Sequence, residues 1–312
     1  STAAARGDEA PLVWEGTEDN VSFTYKIGNA PGVEDALNSA SHVIKATITN
    51  NRVNTNAMET RTSIGLYDQG EQKYTLYGGN QGPNRVREEI AHELLKVSEA
   101  KLQVIAPDVG GGFGMKGGAF GEDILVLWGA KATGRPVKWV GDRLESFMSD
   151  SHGRDVIADC EMAFDDDGKI TGLRISADYN VGAYLSPNAG VSPMFFSILL
   201  SGVYAIPAID VTTRCLFTNM GATAPYRGAG RPEAAYILER LLDIASRELD
   251  IDPIEIRRRN LVKADQMPYQ TALMPNLDCG DFEAVMDKAL EISDWQGFDA
   301  RKAEASSRGK IR

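Results

Sequence analysis

Cysteine, histidine and positive charge are all scarce in this chain of 312 residues, and each shortage excludes a class of protein. The three cysteines, Cys160, Cys215 and Cys279, are far apart, odd in number and free of any C-x-x-C spacing. That argues against a disulfide framework, a four-cysteine zinc site or an iron–sulfur cluster held by this chain alone. They read as reduced thiols, so the expected compartment is the cytoplasm. His42, His92 and His152 stand alone, with no H-E-x-x-H pattern, and no metal bound directly by the protein is expected. The net charge of −11 and pI near 4.9 argue against a nucleic-acid partner, which needs a basic surface. No apolar run approaches the length of a membrane span, and no signal-peptide pattern opens the chain. The opening "STAAARGDEAP" reads as a flexible lead-in over residues 1–20.

What is present is the composition of a soluble globular protein, 43% hydrophobic and 25% charged, long enough for one large or two ordinary domains. "VSFTYKI" at 21–27 alternates as a half-buried strand does, "GVEDALNSA" reads as helix and "SHVIKATIT" as the next strand. "TSIGLYD" and "KYTLYGG" form an expected hairpin, followed by the helix "NRVREEIAHELLKVS" and the strand "KLQVIAPDV". A second hairpin joins "DVIADCEMAFD" to "KITGLRISADYN" through Asp166-Asp167-Gly168, which lacks the alternating acids and closing Glu of a calcium loop. "EAAYILERLLDIASRELDI" is an amphipathic helix, and "DPIEIRRRNLV" carries an Asp cap and a first-turn Pro. Hairpins beside strand–helix–strand units predict an α+β fold of mixed sheets with packed helices. The polar end, "QGFDARKAEASSRGKIR", suggests a fragment or one of several subunits.

The stretch "APDVGGGFGMKGGAFGED" contains Gly112-Phe113-Gly114-Met115-Lys116-Gly117, a literal G-x-G-x-x-G. A strand precedes it, a helix follows, and the next strand ends at Asp142, so an NAD-binding loop with Asp142 on the ribose is one reading. Against it, Gly110-Gly111-Gly112 lengthens the turn, and little after Asp142 alternates strand with helix. A purely structural glycine turn, or another anion or cofactor loop, remains open on spacing alone.

Three motifs in order resemble the molybdenum-binding subunit of the xanthine dehydrogenase, aldehyde oxidase and carbon monoxide dehydrogenase family: "GGNQGPNRVR", "PDVGGGFGMK" and "APYRGAGRPEA". "GRPVKWVGDRLESF" and "DPIEIRRRNLV" are also similar to family stretches, and the resemblance runs from about Trp14 to Val262. It implies a first molybdopterin-binding domain over residues 21–265, with 266–312 linking to a second domain or chain. It also implies a molybdenum–molybdopterin cofactor, with the cytosine dinucleotide one candidate form, contacted by Gln81, Gly112, Phe113, Gly114, Arg227 and Gly228. Gln81 would lie near the metal's oxo ligand, while the Phe113 and Gly114 N–H groups and Arg227 would donate to oxygen-rich ligands. The family inserts oxygen from water into a C–H bond, or oxidises carbon monoxide, and delivers two electrons to the metal. The implied partners are the remaining molybdopterin-binding domain or subunit, an iron–sulfur subunit with 2Fe-2S clusters, an FAD subunit and a small-molecule substrate. The family's glutamate base lies beyond Arg312, so no catalytic residue is nominated within this chain.

Purine-oxidising members carry a glutamate just after the G-G-G-F-G-x-K run, where this chain has Gly117, and an arginine upstream of the A-F-R-G motif, where it has Phe195 and Phe196. Purine is therefore disfavoured, and Phe195, Phe196 and Tyr226 are candidate walls of a pocket for an uncharged aldehyde or heterocycle. Carbon monoxide dehydrogenase places a copper-binding cysteine directly after the A-Y-R arginine, whereas Gly228 stands here, as in the form II homologues. Asp142-Arg143 and Arg257-Arg258-Arg259 read as surface or interdomain ion pairs, and Glu122 and Asp123 as charges favourable to a helix N-terminus. The rival functions are an NAD-dependent oxidoreductase using Gly112–Gly117, and a non-catalytic assembly scaffold.

Overall fold

The structure, a computed structural model, describes residues 1–310 except Asp8; Asp8, Ile311 and Arg312, which fall in the expected lead-in and linker, lie outside the described residues. A single turn, α1 (Thr2–Ala5), precedes strand β1 (Val21–Gly28). Helix α2 (Ala30–Ser39) is capped by the Asn29 side chain, which accepts from Gly32 N–H, and leads to β2 (His42–Asn50). β3 (Thr62–Asp68) and β4 (Lys73–Gly78) form the expected first hairpin. α3 (Pro83–Glu88) runs on as a π-helical turn, Glu89–Leu95, ahead of β5 (Leu102–Ile105). The glycine loop then leads to α4 (Gly121–Thr133), β6 (Val137–Val140) and α5 (Arg143–Ser149). β7 (Val156–Phe164) and β8 (Ile170–Gly182) form the second expected hairpin, whose turn closes as Asp165 Oδ1 accepts from the N–H groups of Asp167 and Lys169. α6 (Val191–Ile198), β9 (Ile209–Phe217), α7 (Arg231–Glu248) and α8 (Pro253–Asn260) follow. A short pair, β10 (Tyr269–Gln270) and β11 (Asn276–Leu277), precedes α9 (Phe282–Ile292) and α10 (Phe298–Ser307).

Apart from the separate antiparallel pair β10–β11, the strands sort into two mixed sheets, the α+β arrangement the pattern predicts. The larger has the order β1-β9-β8-β7-β2, with β8 and β9 parallel and the other neighbours antiparallel. Ile237, Leu238, Leu241, Leu242 and Ala245 recur at helical spacing on α7 and are buried with Leu173, Ile175 and Ala177 of β8. Each such aliphatic side chain contributes roughly 1.5–3 kcal/mol through burial. On the opposite face of β8, a Cβ on Gly172 would sit 2.7 Å from Ala36 Cβ, so glycine there lets α2 close onto the sheet. The smaller sheet has the order β5-β4-β3-β6 and is covered by α4. The close approach rests on Gly65, whose Cβ would lie 2.4 Å from Val126 O.

Two expectations are corrected here. The polar opening is docked rather than a free lead-in: Thr2 and Asn20 are buried, Arg6 pairs with Asp178 at 2.7 Å, and Trp14 Nε1 donates to Ala183 O at 2.8 Å. Asn20 closes the segment on itself, accepting from Val13 N–H and donating to the carbonyls of Ala5 and Pro11. The dinucleotide unit is also absent. β5 and β6 run parallel but occupy opposite edges of the smaller sheet, with β4 and β3 between them. α4 begins at Gly121, beyond Gly112–Gly117, and Asp142 caps α5 by accepting from Glu145 N–H at 2.8 Å. The arginine run clamps helices together: Arg257 pairs with Glu239 and Asp243 of α7, and Arg258 with Asp287 of α9. Phe282 and Met286 of α9 pack on the larger core, so part of the expected linker past 265 is docked on it.

Candidate functional site

Three segments distant in sequence meet at an open cleft of about 480 Å3: Gln81, the glycine loop at Gly112–Gly114, and the turn Pro225–Ala229. Gly114 (φ +100°) lets the two loops touch, since a Cβ there would lie 2.1 Å from Pro225 O. Phe113 holds φ +51°, a left-handed conformation that costs a non-glycine residue roughly 1–2 kcal/mol. That strain is held in place from the facing turn. Arg227 N–H donates to Phe113 O at 2.9 Å, and the Arg227 guanidinium lies 4.9 Å from the Phe113 ring centroid.

Gln81 is set by the same loop. Its N–H donates to Lys116 O at 2.9 Å, and its Oε1 accepts from Gly114 N–H at 2.7 Å. The expectation that Gly114 N–H faces a ligand is therefore corrected, because that donor orients Gln81. The consequence is that Gln81 Nε2 presents two hydrogens with no acceptor among the described residues. The N–H groups of Gly112, Phe113 and Gly228 likewise donate to nothing among the described residues. Arg227, exposed and without a carboxylate partner among them, completes a cleft rich in unpaired donors, with the Tyr226 hydroxyl and the Pro225 carbonyl as its acceptors.

Behind each loop lies an ion pair with one fully buried partner. Lys116, 1% exposed, donates to Glu59 Oε2 at 2.8 Å, and the same oxygen accepts from Gly110 N–H at 2.9 Å. Burial alone would raise the Glu59 carboxyl, but the hydrogen bonds from Lys116 and Gly110 outweigh it and hold the group below its ordinary range. Behind the turn, Arg154 donates to the carbonyls of Tyr226 (3.2 Å) and Arg227 (2.8 Å) and pairs at 3.3 Å with Glu233, which is 0% exposed. Tyr179 O–H donates to the same Glu233 oxygen at 2.7 Å.

The three candidate pocket walls part company. Tyr226 lines the cleft. Phe196 does not: it is fully buried in the large core, edge-on to Tyr179 at 6.0 Å. Phe195 lies under the Arg231 guanidinium at 4.4 Å and is no wall of the cleft. Both fall behind the turn because α6 packs on Gly230, whose Cβ would meet Phe196 N at 2.4 Å. A second cavity of about 380 Å3 opens on the other side of Gly114, walled by Met115, Phe120, Tyr184 and Pro187 with Ser186 and Asn188. None of its lining side chains is charged.

The remaining polar groups are structural. Glu122 pairs with Arg61 at 2.7 Å, and Asp123 accepts from Ser63 Oγ and from Phe120 N–H. Burial raises the Asp123 carboxyl despite those bonds. Arg61 itself is buried against Asp150 at 2.6 Å. Burial pushes the Cys160 thiol up to about 12, so it is no nucleophile. No cluster of metal-ligating side chains occurs among the described residues, and none of their helices is long and apolar enough to cross a membrane. Sequence reasoning missed Glu59, Arg154 and Glu233; the "RPEA" tetrad contains Glu233, but nothing local links it to Arg154.

This fold and cleft define a protein that presents converging donors to an anionic, oxygen-rich group, and the comparisons name the class. The family described as "Molybdopterin cofactor-binding domain" matches residues 13–261. The gamma subunit of the 6-hydroxypseudooxynicotine dehydrogenase complex of Paenarthrobacter nicotinovorans is 31% identical over 84% of this chain and 34% of its own length. The quinoline 2-oxidoreductase of Pseudomonas putida 86 superposes with a TM-score of 0.90 at 30% identity, over 99% of this chain and 39% of that one. The CO dehydrogenase of Oligotropha carboxidovorans gives a TM-score of 0.91 at 29% identity, over 100% of this chain and 41% of that one. The chain belongs to the molybdopterin cofactor-binding domain family of molybdenum-containing oxidoreductases, and it spans about a third of the length of the curated relatives it matches.

Proposed function

We propose that this domain holds the molybdenum–molybdopterin cofactor of a molybdenum hydroxylase that oxidises a small uncharged aldehyde or heterocycle. The observation that carries the reading is the convergence of unpaired donors on one cleft: Gln81 Nε2, the N–H groups of Gly112, Phe113 and Gly228, and the Arg227 guanidinium. Such a set fits a group rich in anionic oxygens, and no acceptor among the described residues satisfies it. A Cβ at Gly112 would lie 2.6 Å from the Gln81 side chain, so glycine keeps the floor of the cradle open. Molybdenum, when bound, supplies the two-electron chemistry. The chain's own part is electrostatic: fixed donors, organised before the reaction, favour negative charge on oxygen without reorganising. Gln81 is the most constrained of them, because Gly114 N–H and Lys116 O hold both its amide and its backbone.

The uncharged cavity beside Gly114 supports the substrate class. A charged ligand would find no counter-ion there, since the cavity's polar side chains, among them Ser149, Ser151, Ser186 and Asn188, are all neutral. A relative named for quinoline fits the same reading. Gly228, in the place of a copper-binding cysteine, speaks against oxidation of carbon monoxide. In this reading, electrons pass to 2Fe-2S and FAD modules on partner domains or chains. The cytosine dinucleotide form of the pterin is the candidate to assay.

The test is the metal content of the native assembly that contains this polypeptide. We expect close to one molybdenum per copy and a marked loss in Gln81→Ala. An intact assembly without molybdenum would overturn the reading and favour a scaffold.

A further inference from the structure

We infer that Arg154, neutralised by the buried carboxylate of Glu233, is the positioning residue that turns the Gly228 N–H into the cleft. The inference rests on the cofactor reading above and assigns a role to two residues that do not line the cleft. The argument is one of peptide geometry. In a trans peptide the C=O and the following N–H point to opposite sides of the chain. Arg154 donates to Tyr226 O at 3.2 Å and to Arg227 O at 2.8 Å, so it draws two successive carbonyls to the inner side of the turn. The two N–H groups of those peptides must then point outwards. One, Arg227 N–H, is seen doing so, donating to Phe113 O at 2.9 Å. The other, Gly228 N–H, has no acceptor among the described residues and belongs to a residue that lines the cleft.

The chemistry of the pair suits this task. A guanidinium carries several donors in one rigid plane, and here one nitrogen serves Tyr226 O and Glu233 while another serves Arg227 O. A lysine ammonium would lack that fixed spacing. Glu233 supplies the charge balance that lets Arg154 lie almost wholly out of water; the Arg154 and Glu233 side chains are 11% and 0% exposed. Tyr179 O–H holds the carboxylate, and the Arg154 guanidinium also lies 4.9 Å from the Tyr226 ring. The backbone records the same constraint: Arg154, Asp155 and Ala229 all hold positive φ values, at +63°, +70° and +38°.

Removing Arg154 alone would strand a buried carboxylate, so the test uses Arg154→Met combined with Glu233→Gln, which leaves no unpaired charge. The protein is the purified native assembly. The readouts are molybdenum retained after dialysis, the Mo(V) electron paramagnetic resonance signal and the melting temperature. Tyr204→Phe serves as a structural control, since it deletes a hydroxyl bonded to Glu239 on the same helix α7 without touching the turn. We expect the double variant to melt close to the control yet to lose molybdenum on the order of tenfold faster than wild type, as outer-sphere deletions do. Its residual Mo(V) signal should be altered, and Arg154→Lys, which keeps a charge opposite Glu233 but not the fork on two carbonyls, should melt like wild type while its signal stays altered. Retention and signal equal to wild type in the double variant would overturn the inference. So would a loss of molybdenum matched by Tyr204→Phe, which would mark a merely structural effect. A wild-type assembly that holds no molybdenum would overturn the cofactor reading instead, and this inference with it.

Discussion

The two loops that face each other across the cleft are built alike at the surface and oppositely beneath. Each uses glycine and left-handed backbone to bring N–H groups to the opening, and each is backed by one ion pair. Under the glycine loop the cation is the sealed partner: Lys116 is 1% exposed, while the Glu59 side chain is 37% exposed. Under the arginine turn the carboxylate is sealed: Glu233 is 0% exposed and Arg154 11%. The difference follows from what each cation does. Lys116 sits within the loop and acts through its own backbone, its carbonyl accepting from Gln81 N–H. Arg154 comes from another segment and acts through its side chain, gripping two carbonyls at once. A point charge can be buried whole against one acid, whereas a guanidinium that spans several acceptors stays nearer the surface.

That contrast predicts opposite sensitivities, and these are the largest effects expected. Deleting the less buried partner strands the sealed one. Arg154→Ala leaves Glu233 buried with only Tyr179 and should cost roughly 3–5 kcal/mol, while Glu59→Ala leaves Lys116 buried and unpaired at a smaller cost, because the partner it loses was solvated. Lys116→Met and Glu233→Gln leave behind the more accessible partner or a neutral one and should cost about 1 kcal/mol. Denaturant unfolding of the four variants checks the order; equal costs within either pair would break the comparison. Next in size are the glycines at which each loop touches its support. Gly114→Ala drives a Cβ to 2.1 Å from Pro225 O and should separate the loops, at roughly 1–3 kcal/mol and with loss of molybdenum. Gly230→Ala meets α6 at 2.4 Å and should cost as much stability while sparing the glycine loop, which amide exchange at Gly114 would show.

The smallest effect is in acid. The folded-state Glu59 carboxyl lies below its ordinary value of 4.5. A depressed carboxyl contributes stability that is present above the unfolded value and lost as pH falls through the folded one. Wild type should therefore lose more stability below pH 4.5 than Glu59→Gln, by a modest amount because the side chain is solvated. Parallel acid-unfolding curves for the two proteins would show that the pair does not hold the loop.

Much of this was legible along the chain because it rests on neighbours. The hairpin turn at Asp166-Asp167-Gly168 and the Asp252 and Asn29 caps are local chemistry, readable within a few residues. Helix α7 announced itself by the spacing of its leucines and isoleucine. The site was legible in part: the resemblance put Gln81, Phe113 and Arg227 together, and the cleft does hold all three. Phe196 shows the limit. An apolar residue upstream of the arginine turn reads the same whether it walls a pocket or packs beneath one, and only the closeness of α6 to Gly230 put it in the core.

By itself, then, the sequence determined the longer strands, helices α2, α3, α4, α7 and α8, the α+β character and the family, because each depends on composition or on short spacings, whereas α5, α6 and α9 were not legible in it. The tertiary structure alone decided the rest. It put β5 and β6 at opposite edges and so dissolved the dinucleotide unit. It turned Gly114 N–H towards Gln81 rather than outwards, and it brought Glu59 to Lys116 and Arg154 to Glu233 from far along the chain. A buried charge takes whatever partner the packed chain brings within reach, and no local pattern specifies which one that is.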